Sequence, residues 1–376
     1  MRPLLYIIIV CCCLDAMITC NSGSGSVNGV DLTVKSITVP AIVFNPGEYV
    51  CYSADEIEID GLLGEEPWVE SEWTSDFVDI EGDLKPKPLS RTRVKMLWNE
   101  ECLFIAAEIE EPHIWARLRQ KDTVIYMDND FEVFIDPDGD THCYYEIEVN
   151  SFNTTWDLLL TKPYRDNGRA ISSWDMKGVR SAIRIDGTIN DPSDIDLNWV
   201  LEMALPLSSL KECGNYPHEG TQWRINFSRV NWRSVIDNGC YKKDIDPATG
   251  KNYPEYNWVW SPQGVINMHY PEMWGYVQFT ETMAGDGSVD FNRDPDEVLK
   301  WDLRELYYAQ RKFAAENARY TANLTLLHNF GYDKSIDLPV IRLTDFGFEA
   351  SVRSRHSGLY WIIDNHGRVY SQNIKK

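Results

Sequence analysis

The chain has 376 residues and a formal net charge of −22, from 58 acidic and 36 basic side chains. That balance excludes nucleic acid as a default partner, because its phosphates would be repelled, and it suits an exported protein meeting neutral or cationic ligands. Fourteen Trp and nineteen Tyr supply either the rings of a large β core or flat platforms for a ligand.

In chain order, "MRPLLYIIIVCCCLDAMITC" at 1–20 has one Arg, an apolar run from Leu4 to Leu14, and then the small and polar "NSGSGSVNG". This is the pattern of a signal peptide, too short for a membrane span. Cys20 ahead of a Ser/Gly linker matches the lipid-modified cysteine of a bacterial lipoprotein, although the preceding "MIT" departs from the usual small residue. The expected location is therefore exported: at the cell surface or outer membrane through that anchor, or periplasmic or secreted. Residues 21–49 read as a linker and N-terminal arm. Beyond the leader, Cys51, Cys102, Cys143, Cys213 and Cys240 show no C-x-x-C spacing. Disulfides of an oxidising compartment and isolated buried thiols both remain open, and a zinc site is not suggested.

Residues 50–280 read as all-β. Alternating runs such as "RTRVKMLW", "CLFIAAEIE", "FEVFID", "YYEIEVN", "NWVLEMALP", "QWRINFSRVNW" and "GYVQFT" are separated by turn residues. No βαβ alternation occurs, and seven or more strands predict a two-sheet antiparallel β-sandwich. Residues 281–376 form a C-terminal extension. Its helix is predicted over about 295–316, with Asp294 as N-cap, Pro295 at the first helical position and Glu297 at the third. Leu299, Leu303, Leu306 and Phe313 make an apolar stripe that needs a partner in the sandwich or in the strands that follow. "GLYWIIDNHGRVYS" predicts a hairpin turning at "DNHG".

The chemistry concentrates in "FEVFIDPDGDTHCYYEIEVN" at 131–150, a predicted hairpin. Period 2 places Glu132, Glu146, Glu148 and Asn150 on one face, with Glu132 nearly opposite Glu148. Facing acids on paired strands sit about 5 Å apart, near the separation that a retaining glycosidase uses. The same groups could hold a metal or hydrogen-bond a polar ligand. Such a pair also repels unless Arg93, Arg229, a cation or plain solvent compensates. Asp136, Asp138 and Asp140 stand in i, i+2, i+4 order around a glycine, which is a candidate calcium turn although the full EF-hand loop is missing. G-x-S-x-G, H-E-x-x-H and phosphate-loop motifs are absent from the sequence. A second aromatic-rich stretch at 256–279 carries Trp258, Trp260, Tyr270 and Trp274, which could pack a core or stack on a sugar.

"IDGLLGEEPWVESEWTSDFVDI", "VKMLWNEECLFIAAEIEEPHIWA", "DNDFEVFIDPDGD", "YYEIEVN" and "LEMALPLSSL" together resemble family 9 carbohydrate-binding modules over about 55–280. "QWRINFSRVNW" with "VWSPQGVINMHYPEMWGYVQF" is similar to a Bacteroidetes-type family-9-like subgroup. The resemblance implies an antiparallel sandwich, often with structural calcium, and a shallow slot in which two tryptophans clamp a sugar at a chain end. It implies a module that accompanies glycosidases without being catalytic. In this alignment the first clamping tryptophan falls on Tyr126 and the second near Met268. The sugar-binding glutamate matches Glu132 and the asparagine of the next strand matches Asn150, while an arginine beside it is replaced by Glu148. The expected ligand set is Tyr126, Glu132, Glu148, Asn150, Trp258, Trp260, Met268, Tyr270 and Trp274. The expected function is binding of a poly- or oligosaccharide in support of its breakdown. The alternatives are a divergent glycoside hydrolase using Glu132 and Glu148, or a cell-surface interaction protein that keeps the fold without sugar binding.

Overall fold

A computed structural model describes residues 26–27, 30–31, 34–333 and 338–372. The leader and Cys20 lie outside the described residues. Among those described, no helix is long and apolar enough to cross a membrane.

Runs of alternating apolar side chains become strands because each can turn one set of residues into a shared core. The main strands are β1 (Glu48–Ser53), β2 (Thr92–Trp98), β3 (Cys102–Glu110), β4 (Asp130–Asp136), β5 (Tyr144–Asn150) and β6 (Thr155–Leu160). They continue as β7 (Arg180–Asp186), β8 (Asn198–Pro206), β9 (Gln222–Asn231), β10 (Tyr256–Val259) and β11 (Gly275–Met283). Hydrogen bonding orders them β6-β5-β4-β9-β11-β1-β2-β3-β8-β7. The two halves of this path form the layers of a β-sandwich. Phe131, Val133 and Ile135 of β4 and Phe227 of β9 share one buried cluster with Met96 of β2, Ile105 of β3 and Leu201 of β8.

The pairings in this sheet are antiparallel apart from those of β1, which runs parallel to both β11 and β2 and so joins the layers. β9 divides its second edge, pairing with β11 over Gln222–Ile225 and with β10 over Ser228–Asn231. On its other edge it pairs with β4, which in turn pairs with β5. This register sets Glu132 opposite Glu148 on one side and Ser228 on the other, with Asp130 opposite Asn150. Among the described residues one disulfide, Cys143–Cys213, pins the end of the β4–β5 turn. Cys51 and Cys102 are buried free thiols, and Cys240 is a free exposed one.

The extension is a helix on a four-stranded antiparallel meander: α1 (Glu297–Asn317), β12 (Val340–Leu343), β13 (Phe348–Arg353), β14 (Tyr360–Asp364) and β15 (Val369–Gln372). The helix begins later than the spacing predicts, with Asp296 as N-cap residue in place of Asp294. The Asp296 carboxylate does not cap the helix, because it accepts from Ser354, Ser357 and the Trp361 indole of the meander. Leu303, Leu306 and Phe313 bury their stripe against Ala350, Ile363 and Val369, with Leu299 at the margin. Buried polar contacts bind this unit to the sandwich. Tyr307 donates to Asp166 Oδ1 at 2.7 Å, Arg311 pairs with the same carboxylate, and Tyr308 donates to Glu272 Oε1 at 2.5 Å.

Candidate functional site

The β4–β5 hairpin turns a second set of side chains away from the core, and that outer face is buried as well. Asp130 is 0 % exposed, Glu148 1 %, and Glu132 and Glu146 5 % each. The Tyr126 N–H donates to Glu148 Oε2 at 2.9 Å, and Ser228 of β9, opposite Glu132, opposes the effect of burial there. Neither carboxylate oxygen of Asp130 has a hydrogen-bond partner, and Glu146 Oε2 has none. Oxygens of Asp130, Glu132 and Glu148 lie within 4.8 Å of one another. Burial pushes Glu132 up to about 7, with Glu255 adding to the effect. Burial, then the charge of Glu132, raises Asp130, Glu146 and Glu148 well above the usual carboxylate range. The Val230 N–H, outside hydrogen-bonding geometry, pulls Asp130 the other way.

The rim of this face is aromatic and carries one ammonium. Tyr126 is half-buried and packs with Trp115, Val230, Trp232 and Tyr241. Its peptide is fixed at both ends, since the Trp232 indole donates to Tyr126 O at 2.8 Å. A short hairpin, Ser234–Asp237 with Cys240–Lys243, brings Lys243 Nζ to 3.1 Å from the Trp232 ring centre, a cation–π contact. That ammonium has no hydrogen-bond partner, and burial, then Arg117, lowers it to about 8.

Residues 59–226 match the family model described as "Carbohydrate family 9 binding domain-like". This region is similar to that family. No curated protein matches the chain. Among solved structures, a family 9 carbohydrate-binding module from Caldicellulosiruptor kristjanssonii in complex with cellotriose is 13 % identical, covers 65 % of this chain and 99 % of its own, and superposes with a TM-score of 0.41. The same description in complex with glucose gives 13 %, 65 %, 99 % and 0.40. A crystal structure from Bacteroides uniformis ATCC 8492, provisionally described as carbohydrate-binding, is 16 % identical, covers 62 % of this chain and 99 % of its own, with a TM-score of 0.43. These likenesses assign no residue of this chain a role.

Within the matched region and the strands that complete it, the expected ligand set divides. Glu132 and Glu148 share the outer face, Tyr126 stands at its rim, and Met268 packs on the same layer against Phe134 and Trp274. Met268 Sδ accepts from Gln263 Nε2 at 2.9 Å. Trp258 and Trp260 do not reach this face: both lie in the core between the layers, 2 % and 3 % exposed. A Cβ at Gly47 or Gly275 would meet the Trp260 ring at 2.8 or 2.3 Å, so that indole is enclosed by backbone. Tyr270 and Trp274 are buried too, the first donating to Thr38 O at 2.8 Å and the second to Met268 O at 3.0 Å. None of these four offers a ring to a sugar, because the strand period and the 261–274 loop turn them inward.

Asn150 is the other correction. Its amide donates to Leu118 O and Asp128 Oδ2, and its Oδ1 accepts from the Phe152 and Thr154 N–H groups, so it closes the β5–β6 turn. The expected set also omits Asp130, Glu146 and Lys243. Period 2 reaches Asp130 from Glu132 and Glu146 from Glu148 directly. Nothing local signals Lys243, which a separate hairpin delivers.

The candidate calcium turn has a fit of its own. Oxygens of Asp136, Asp138 and Asp140 also lie within 4.8 Å of one another. The turn already serves them, however: Asp136 accepts from Gly139 and Thr141, Asp138 from Asp140, and Asp140 from His142. Arg368 donates to Asp140 Oδ2 at 2.6 Å, placing a guanidinium where a cation would sit. The donor set fits a hard cation, in competition with Arg368.

Proposed function

We propose that this chain is an exported carbohydrate-binding protein whose sugar lies on the outer face of β4 and β5. In this reading Tyr126 stacks on the sugar ring while Glu132 and Glu148 accept from its hydroxyls. The observation that carries it is a row of buried acceptors without donors, at Asp130 and Glu146, beside a half-buried tyrosine. A sugar supplies the missing donors and an apolar ring face together. The family 9 match over this hairpin supports the ligand class. Export, anchoring through Cys20, a supporting role in polysaccharide breakdown and calcium at Asp136, Asp138 and Asp140 belong to the same proposal.

Hydrolysis is not part of it. A glycosidase needs one carboxyl held protonated and its neighbour held ionised. The matched family model describes a binding domain, and that match carries this part of the reading. A glycan-array screen of the protein with Tyr126→Ala and Glu132→Gln, assaying every hit for new reducing ends, tests both statements. The expected result is binding weakened at least tenfold in either variant, with no new reducing ends. Hydrolysis abolished by Glu132→Gln would move the protein to the enzyme class. A second reading, a surface interaction protein that keeps the fold without sugar, is favoured by the burial of Trp258, Trp260, Tyr270 and Trp274. Silence on the array would select it.

A further inference from the structure

Four carboxylates packed into one buried patch cannot all stay charged without a compensating cation. The arginines that could serve are engaged elsewhere. Arg93 pairs with Glu108 at 2.8 Å, and Arg229 faces Glu111 at 3.6 Å while lying over the Trp258 ring. Lys243 lies over the Trp232 ring and its charge is felt by Asp130, but it comes within ion-pair distance of none of the four, and among the described residues no ion pair reaches Asp130, Glu132, Glu146 or Glu148. Solvent is nearly excluded, since these side chains are at most 5 % exposed.

Two observations beyond the acidity itself point to a ligand. Asp130 is fully buried, yet both of its oxygens are unpartnered. Glu146, outside the three-residue cluster but on the same face, adds a third unpartnered oxygen, and its charge interacts with those of Glu132 and Glu148. The three clustered oxygens lie within 4.8 Å of one another. Ca–O bonds of about 2.3–2.6 Å allow ligand oxygens to stand up to about 5 Å apart across one ion. The donors are carboxylates alone, without histidine or thiolate, which selects a hard cation of the calcium class over zinc or copper.

We propose that Asp130, Glu132 and Glu148 hold a calcium-class divalent cation on the outer face of the sheet, and that the ion offers its remaining coordination positions to sugar hydroxyls. The second half rests on the sugar-binding reading; the first does not. The site is distinct from the Asp136–Asp140 turn.

Calorimetric titration of Ca²⁺ into chelator-treated protein, repeated with Asp130→Asn, Glu132→Gln and Asp138→Asn, tests the site. The expected result is a binding event weakened at least tenfold by Asp130→Asn and by Glu132→Gln, and left within twofold by Asp138→Asn. Asp130→Asn replaces an acid whose ionisation burial opposes with a neutral group of the same size, so its melting temperature without calcium should equal or exceed that of the parent, which guards against misreading a misfolded variant. Absence of calcium binding, or binding lost only in Asp138→Asn, overturns the proposal. Sugar affinity is then measured with and without calcium. A tenfold loss on chelation upholds the bridging role, and an unchanged affinity overturns that role alone. Calcium binding at Asp130 without any sugar binding leaves the metal site standing and sinks the sugar reading.

Discussion

Glu132 and Glu272 answer to pH in opposite senses. Burial raises Glu132 from an ordinary 4.5 to about 7, so its neutral form is the one the fold favours. Its contribution to stability is fully present below 4.5 and is lost as pH rises through about 7. In chelator, the melting temperature should therefore fall between pH 5 and pH 8, and Glu132→Gln should flatten that decline; a parent flat across this range would contradict the assignment. Burial opposes the charge of Glu272 too, but Arg165 with Arg304 and Tyr308 outweighs it and holds the carboxyl down at about 2. Its contribution is present above 4.5 and lost only as pH falls through about 2.

Among elements, the Cys143–Cys213 bridge ties the β4–β5 turn to the chain after β8 across 70 residues. A loop of that length corresponds to about 4 kcal/mol in the chain-entropy account. Cys213→Ser under conditions that keep the parent oxidised should cost about 2–4 kcal/mol in denaturant unfolding, and an unchanged midpoint would show that the bridge does not form. The hairpin it braces was also the most legible element of the sequence. Period 2 and the "DPDG" turn placed Glu132 opposite Glu148, the pairing the structure has. The same rule could not tell which side of β10 faces the core, because Trp258 and Trp260 read alike as platform or packing until both layers are present. The start of α1 was misplaced for a similar reason. Asp296 is drawn to Ser354 and Trp361, residues about sixty positions away that local spacing does not reach.

For the molecule as a whole, the extension is bound to the sandwich by charges taken out of water. Asp166 is 1 % exposed and answers both Tyr307 and Arg311. Asp166→Ala strands Arg311 in that interface and should cost about 3–5 kcal/mol. Scanning calorimetry of the parent should show one transition; two separate ones would mean that sandwich and extension melt independently. None of this join was legible beforehand, since it pairs charges some 140 positions apart in the sequence. A last join carries a consequence in time. Asp140 waits for Arg368, 228 residues later in the chain. At roughly 5–20 residues per second of synthesis, that wait lasts on the order of 10–50 s. For that interval the nascent turn carries three carboxylates with no guanidinium to meet them, and whichever cation the compartment supplies reaches Asp140 before its own arginine does.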